Sequence, residues 1–244
     1  MSPFVTPVVG HRGAAASAPE NTLVSLKTAA EQGARWVEFD VKLTADGTVI
    51  LLHDDRLERT TDGRGNVSEM TYGEILKADA GRSFSPRFAG ERVPTLGQAF
   101  ALLSQYGLSA NIELKPCPGF EAATALAVSQ VVKEELADFA GDIVVSSFSE
   151  PCLSCFGEAM PGVSLALLFG KTPVDWRARA ERVGADAIHC RQQNLTRVQL
   201  NGFLAAGYPV RCYTVNDVRT AKRLLGWGVE SIFTDHPGKL LGGI

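Results

Sequence analysis

Short β-branched and aromatic runs alternate with Ala- and Leu-rich stretches along nearly the whole chain. The runs at Val8–His11, Trp36–Leu43, Thr48–His53, Leu108–Leu114, Ile143–Phe148, Ser164–Phe169, Ala187–Cys190, Val210–Val215 and Ser231–Thr234 predict strands. Thr22–Gln32, Phe120–Asp138, Trp176–Val183, Thr196–Ala206 and Asp217–Leu225 predict helices between them. Glycines at 33, 184, 207 and 226 stand where helices prefer a left-handed closing residue. Such alternation predicts a parallel sheet covered by helices. Eight strands pair with a following helix, and the extra run, Thr48–His53, sits beside the second strand. Eight βα units in 244 residues match a closed barrel. An open doubly wound sheet is the competing arrangement, but no glycine-rich dinucleotide fingerprint is present. The expected fold is therefore α/β, a (β/α)8 TIM barrel forming one domain over residues 1–244.

One segment breaks the rhythm. Residues 55–94 hold a polar, turn-rich stretch around Thr60-Thr61-Asp62-Gly63-Arg64-Gly65-Asn66, a short helix-like piece, and Phe84-Ser85-Pro86-Arg87-Phe88. It reads as an insertion after the second strand region, over one end of the barrel.

Composition narrows the class further. Hydrophobic residues make up 45% and charged residues 21% of the chain, ordinary for a globular protein with a full core. A net charge of −3 gives no basic field for nucleic acid. No apolar run approaches the roughly 20 residues that cross a bilayer, so no membrane partner is expected. Met1–Thr6 shows neither the basic nor the long apolar region of a secretory leader. The five cysteines are odd in number and irregularly spaced, and Cys152-Leu153-Ser154-Cys155 lacks the further ligands of a zinc site. They read as buried or incidental thiols in a reducing cytoplasm.

The rare polar residues fall at predicted strand ends, the active face of such a barrel. These ends carry His11-Arg12-Gly13, Glu38-Phe39-Asp40, His53-Asp54-Asp55 and Glu113-Leu114-Lys115. Glu38 and Asp40 lie two apart on an apolar strand, so they share a face, repel each other and lose hydration. A cation would relieve both costs, and Glu113 is a third carboxylate in an equivalent setting. Three hard oxygen donors suit Mg²⁺ or Ca²⁺ rather than zinc. The plainer alternative is solvated strand ends paired with Arg12 and Lys115. Three carboxylates and one divalent ion sum to −1, and Arg12 with Lys115 bring the site to +1. That balance accepts the single negative charge of a small phosphodiester, to which an arginine can bond bidentately. His11 and His53 are two of four histidines, and imidazoles titrating near neutrality could supply one acid and one base. Two separate structural histidines are the bland reading, and His189 and His236 read as structural or peripheral. Asn21 or Thr22 offers a helix N-cap, whereas Glu20 could reach a substrate hydroxyl or a metal-bound water.

Taken together these residues resemble the glycerophosphodiester phosphodiesterase family. The matching words are Gly10-His11-Arg12-Gly13 with Pro19-Glu20-Asn21-Thr22, Glu38-Phe39-Asp40-Val41 with Asp46-Gly47, and His53-Asp54 with Arg59-Thr60-Thr61-Gly63. Glu113-Leu114-Lys115, Ser147-Phe148, Thr214-Val215-Asn216 and Thr234-Asp235-His236-Pro237 follow. Tyr213 stands where relatives often place tryptophan. The resemblance implies a TIM barrel with Mg²⁺ or Ca²⁺ on Glu38, Asp40 and Glu113. It implies His11 and His53 as the acid/base pair, and Arg12 and Lys115 on phosphate. It further implies attack by the neighbouring glycerol hydroxyl, a cyclic phosphate, and release of glycerol 3-phosphate and an alcohol, with glycerophosphocholine or glycerophosphoethanolamine among the expected substrates. Two rivals stay open: a related lyase or phospholipase that stops at the cyclic phosphate, and a non-catalytic phosphate-binding barrel.

Overall fold

Eight parallel strands close on themselves, and a ninth lies outside the ring. In chain order they are β1 (Val8–His11), β2 (Trp36–Leu43), β3 (Val49–Leu51), β4 (Ser109–Leu114), β5 (Ile143–Ser147), β6 (Ser164–Phe169), β7 (Ala187–Arg191), β8 (Val210–Tyr213) and β9 (Ser231–Thr234). The ring runs β1-β2-β4-β5-β6-β7-β8-β9, and β1 pairs with both β2 and β9 to close it. The extra strand β3 is shorter than the sequence suggests and runs antiparallel to β2, a hairpin turned at Asp46-Gly47. This computed structural model describes residues 6–244, so most of the opening stretch read for a leader lies outside it. Among the described residues no helix is long and apolar enough to cross a membrane.

The helices are α1 (Leu23–Glu31), α2 (Tyr72–Ile75), α3 (Leu96–Tyr106), α4 (Glu121–Glu135), α5 (Glu150–Ala159), α6 (Trp176–Arg182), α7 (Arg197–Ala205), α8 (Val218–Trp227) and α9 (Pro237–Leu241). Their starts follow side-chain chemistry. Thr22, rather than Asn21, caps α1 by accepting from Ser25 N, and Thr95 and Thr196 form capping boxes with Gln98 and Gln199. Residues 33, 184 and 207 are left-handed glycines, as expected. The fourth expectation fails. Helix α8 runs through Gly226 to Trp227 and stops at Gly228, whose φ of 108° supplies the left-handed closure.

Strand alternation divides the core into two layers. Outward-facing residues such as Phe39, Val41, Ile112 and Val145 pack beneath the helices against Phe100, Phe156 and Phe203. Inward-facing Val9, Trp36, Val144, Ala166, Ala187 and Phe233 form an apolar plug inside the barrel. The next inward positions on β1, β2, β5 and β7 are polar, His11, Glu38, Ser146 and His189, and Asn111 joins them from β4. A dry floor thus lies directly beneath a charged mouth.

Between β3 and α3 the chain builds a small satellite around Ile50, Leu52, Leu57, Val67, Ile75, Ala80 and Val93. Asp79 pins it: its oxygens accept from the backbone N–H groups of Gly81, Arg82 and Gly90 at 2.9, 2.9 and 2.8 Å. Burial pushes this carboxyl up, but the three donors outweigh burial and bring its pKa down to about 2. Because the folded value lies below the ordinary 3.8, the carboxylate's contribution is complete above that value and disappears as pH falls toward about 2. Asp79→Ala should therefore destabilise the satellite by about 1–3 kcal/mol. Hydrogen exchange should show faster exchange at Gly81, Arg82 and Gly90 while the barrel strands stay protected, and unchanged exchange at these amides would contradict that role.

Candidate active site

Glu38 and Asp40 occupy successive inward positions of β2, and Asp40 stands in register with Glu113 on β4. Both β2 carboxylates are buried, at 3% and 1% exposure, and one oxygen from each of the three acids lies within 4.8 Å of the others. Local structure holds one side of the β2 pair. Asn21, in left-handed conformation at φ 57°, donates from Nδ2 to Asp40 Oδ2 at 2.9 Å and accepts from Asp40 N at 3.1 Å. The Arg12 backbone N–H donates to Glu38 Oε2 at 2.9 Å. That turn needs its glycines: a Cβ on Gly10 would sit 2.4 Å from Gly13 O, and one on Gly13 would meet Ser25 at 2.5 Å.

The other oxygens are left over. Glu38 Oε1, Asp40 Oδ1, Glu113 Oε1 and Asn111 Oδ1 are buried without a hydrogen-bond partner. Lys115 Nζ stands 3.1 Å from Glu113 Oε1 without the alignment of a hydrogen bond. Burial, with added repulsion from Asp40 and Glu113, raises Glu38 well above the ordinary carboxylate range. Burial and Asp40 push Glu113 up to about 7, against the opposing pull of Lys115. Asp40 behaves oppositely: burial would raise it, but Arg12, His53, Lys115 and the Asn21 hydrogen bond hold it below 3.8. Orphaned acceptors, all oxygen, converging from two strands fit a hard divalent cation.

Each imidazole is fixed through its Nδ1. His11, at the end of β1, bonds Asp235 Oδ1 at 2.6 Å, and Asn216 Nδ2 donates to Asp235 Oδ2 at 2.6 Å. Its Nε2 lies 4.0 Å from Glu38 Oε2. His53, two residues beyond β3, bonds Asp54 Oδ1 at 2.5 Å. Asp54 is in turn gripped by Arg59, from Nε at 2.5 Å and Nη2 at 3.1 Å. Burial holds the His53 imidazole below its ordinary 6.5; Asp40 opposes that shift, while Arg12 adds to it.

Glu20 lies in the same network. Its Oε1 accepts from Arg12 Nη1 at 2.6 Å and Arg59 Nη2 at 2.8 Å, and its Oε2 accepts from Arg59 Nη1 at 2.9 Å. Both oxygens expected to face a hydroxyl or a metal-bound water are thus engaged by arginines. Arg12 Nε also lies 3.2 Å from Asp40 Oδ2. The chain Asp54–Arg59–Glu20–Arg12–Asp40 therefore ties the His53 side of the mouth to the acidic trio. A cavity of about 470 Å³ opens above, lined by His11, Arg12, Glu38, His53, Glu113 and Lys115 on one side and by Phe148, Arg191, Gln193 and Tyr213 on the other.

The structure thus brings seven of the eight sequence-derived candidates together around one mouth, with Glu20 one arginine away. Sequence reasoning missed Asp235, Asn216 and Asn21 as side chains that position His11 and Asp40, and it set aside His189. That histidine lies buried in the cavity wall, accepting at Nε2 from Arg211 Nη1 at 3.0 Å. His236 is peripheral, preceding α9. Asp235 was legible, since it directly follows the last strand at the same rim.

Comparison with known proteins agrees with this architecture. The model of the glycerophosphoryl diester phosphodiesterase family matches residues 11–239. A glycerophosphodiester phosphodiesterase of Caldanaerobacter subterraneus subsp. tengcongensis is 34% identical over 97% of this chain and 96% of its own length. The structure of an Oleispira antarctica phosphodiesterase in complex with the product sn-glycerol-3-phosphate superimposes with a TM-score of 0.95, at 36% identity over 98% of this chain and 97% of that one. A glycerophosphodiester phosphodiesterase from Agrobacterium tumefaciens gives a TM-score of 0.80 at 28% identity, covering 98% and 100% of the two chains. With the match spanning nearly its full length, this chain belongs to the glycerophosphoryl diester phosphodiesterase family.

Proposed function

We propose that this protein hydrolyses glycerophosphodiesters to glycerol 3-phosphate and an alcohol, using His11 and His53 as the acid/base pair beside a divalent cation on Glu38, Asp40 and Glu113. The observation that carries this reading is the set of orphaned carboxylate oxygens at the same mouth as two anchored imidazoles. The Oleispira relative with bound sn-glycerol-3-phosphate supports the product class. A bound Mg²⁺ or Ca²⁺ ion would offset two of the trio's three charges and withdraw charge from a phosphoryl oxygen.

The protein's own groups divide the remaining work. His53 is kept neutral chiefly by burial, so it takes the proton from the glycerol hydroxyl that attacks phosphorus. His11, held through Nδ1 by Asp235, directs its Nε2 toward the mouth beside Glu38. His11 therefore gives its proton to the departing alcohol oxygen. The P–O bond to the alcohol breaks as the bond to the glycerol oxygen forms, leaving a cyclic phosphate. The roles then reverse: His11 takes a proton from water as it attacks phosphorus, and His53 returns one to the glycerol oxygen. Arg12 and Lys115 hold the phosphate's negative charge at the cavity wall. Glu20, between Arg12 and Arg59, sets the position of Arg12 rather than touching substrate.

Purified protein with Mg²⁺ or Ca²⁺ should release glycerol 3-phosphate from glycerophosphoethanolamine, and EDTA should stop it. Phosphorus NMR distinguishes that product from a terminal cyclic phosphate. His11→Ala and His53→Ala should each lower kcat/KM by roughly 10²–10⁴-fold; full activity in both would refute the pairing.

Cation binding should also be visible without turnover. At about a hundredfold excess over Kd, a divalent ion should stabilise the fold by roughly 2.7 kcal/mol, read as a rise in Tm. Glu38→Gln should lose most of that rise, and an equal rise in this variant would place the ion elsewhere.

A further inference from the structure

The cavity has two chemically unlike walls. The acids, His11 and His53 come from β1, β2, β4 and the loop after β3, whereas the facing wall is built by the ends of β5 to β8, with His189 buried at its base. Arg191 is the third inward residue of β7, after Ala187 in the apolar plug and His189. It stands in register with Tyr213 on β8. The wall around it is fastened: Asn194 Nδ2 donates to Gly170 O at 2.5 Å, and the Tyr213 hydroxyl donates to Phe169 O at 3.0 Å. The Phe148 ring meets Tyr213 edge-on at 5.9 Å between centroids.

Within this wall the charges are unbalanced. Arg12, Arg59, Arg179 and Arg211 each pair with a glutamate, but among the described residues no carboxylate pairs with Arg191, which is exposed at the rim. Among the described residues the only carboxylates lining the cavity are Glu38 and Glu113, on the opposite wall. A diester with its phosphate near the acidic trio would extend its alcohol arm across the mouth toward the guanidinium. An ammonium there would meet like charge with no compensating acid nearby. A carboxylate or phosphate would find paired N–H donors instead.

We propose that Arg191 determines alcohol specificity, selecting glycerophosphodiesters whose alcohol arm carries an anionic group over those ending in a quaternary ammonium. This rests on the hydrolysis reading above. Glycerophosphoserine and glycerophosphoethanolamine differ by one carboxylate, so their kcat/KM ratio isolates the effect. The ratio should favour the serine diester by about tenfold, a charge-assisted contact discounted for exposure, and should shrink with added salt. Arg191→Gln should bring the ratio close to one, lowering the serine diester's kcat/KM and, by removing like charge near the ammonium, raising that of the ethanolamine diester. Arg191→Glu should shift preference toward glycerophosphocholine. Equal wild-type rates on the serine and ethanolamine diesters, or a preference that survives Arg191→Gln, would overturn the role of Arg191. Hydrolysis of neither diester would instead contradict the proposed reaction, and the relative Kd of the same two compounds would then judge Arg191.

Discussion

The mouth of this barrel is organised around mutual repulsion among three buried carboxylates. Glu38, Asp40 and Glu113 share a space in which each loses hydration and each raises the cost of ionising the others. The surrounding structure offsets this unevenly. Asp40 has Arg12 and the Asn21 amide N–H; Glu38 has one backbone donor; Glu113 has the nearby Lys115. What remains is a cluster of acceptors short of positive charge, built on rigid strands rather than loops. A hard cation is the simplest chemical complement of such a cluster.

Placement of the imidazoles follows from the same arrangement. Both are held by carboxylates through Nδ1, but the two supporting acids differ in their own surroundings. Asp235 is supported by the neutral amide of Asn216, while Asp54 shares its charge with Arg59. Glu20 then connects the halves, since Arg59 and Arg12 both rest on it. A change at this residue would disturb both the His53 side of the mouth and the guanidinium beside Asp40.

Much of this was legible in the sequence because barrels place strand ends at one rim, and acids within apolar strands are conspicuous. Glu38-Phe39-Asp40 and Glu113-Leu114-Lys115 announced a common site through alternation alone. The bond from His11 to Asp235 did not, since 224 residues separate them and only barrel closure through β1 and β9 brings them together. Asn21 looked like a helix cap because its left-handed backbone, which frees its amide for Asp40, has no sequence signal beyond residue type. Gly226 misled for a related reason: a glycine marks possible helix closure, but a second glycine two residues later took that position. Choline and ethanolamine diesters were natural expectations from family resemblance, whereas the charge of the far wall depends on Arg191 facing inward, which only the register of β7 reveals.

A cation held by Glu38, Asp40 and Glu113 would be located by anomalous diffraction from crystals grown with Mn²⁺. One strong peak is expected, with oxygens of Glu38, Asp40 and Glu113 within about 2.0–2.6 Å, the span of hard-cation contacts. A mouth with no peak, its acids instead joined to one another by short hydrogen bonds, would contradict it.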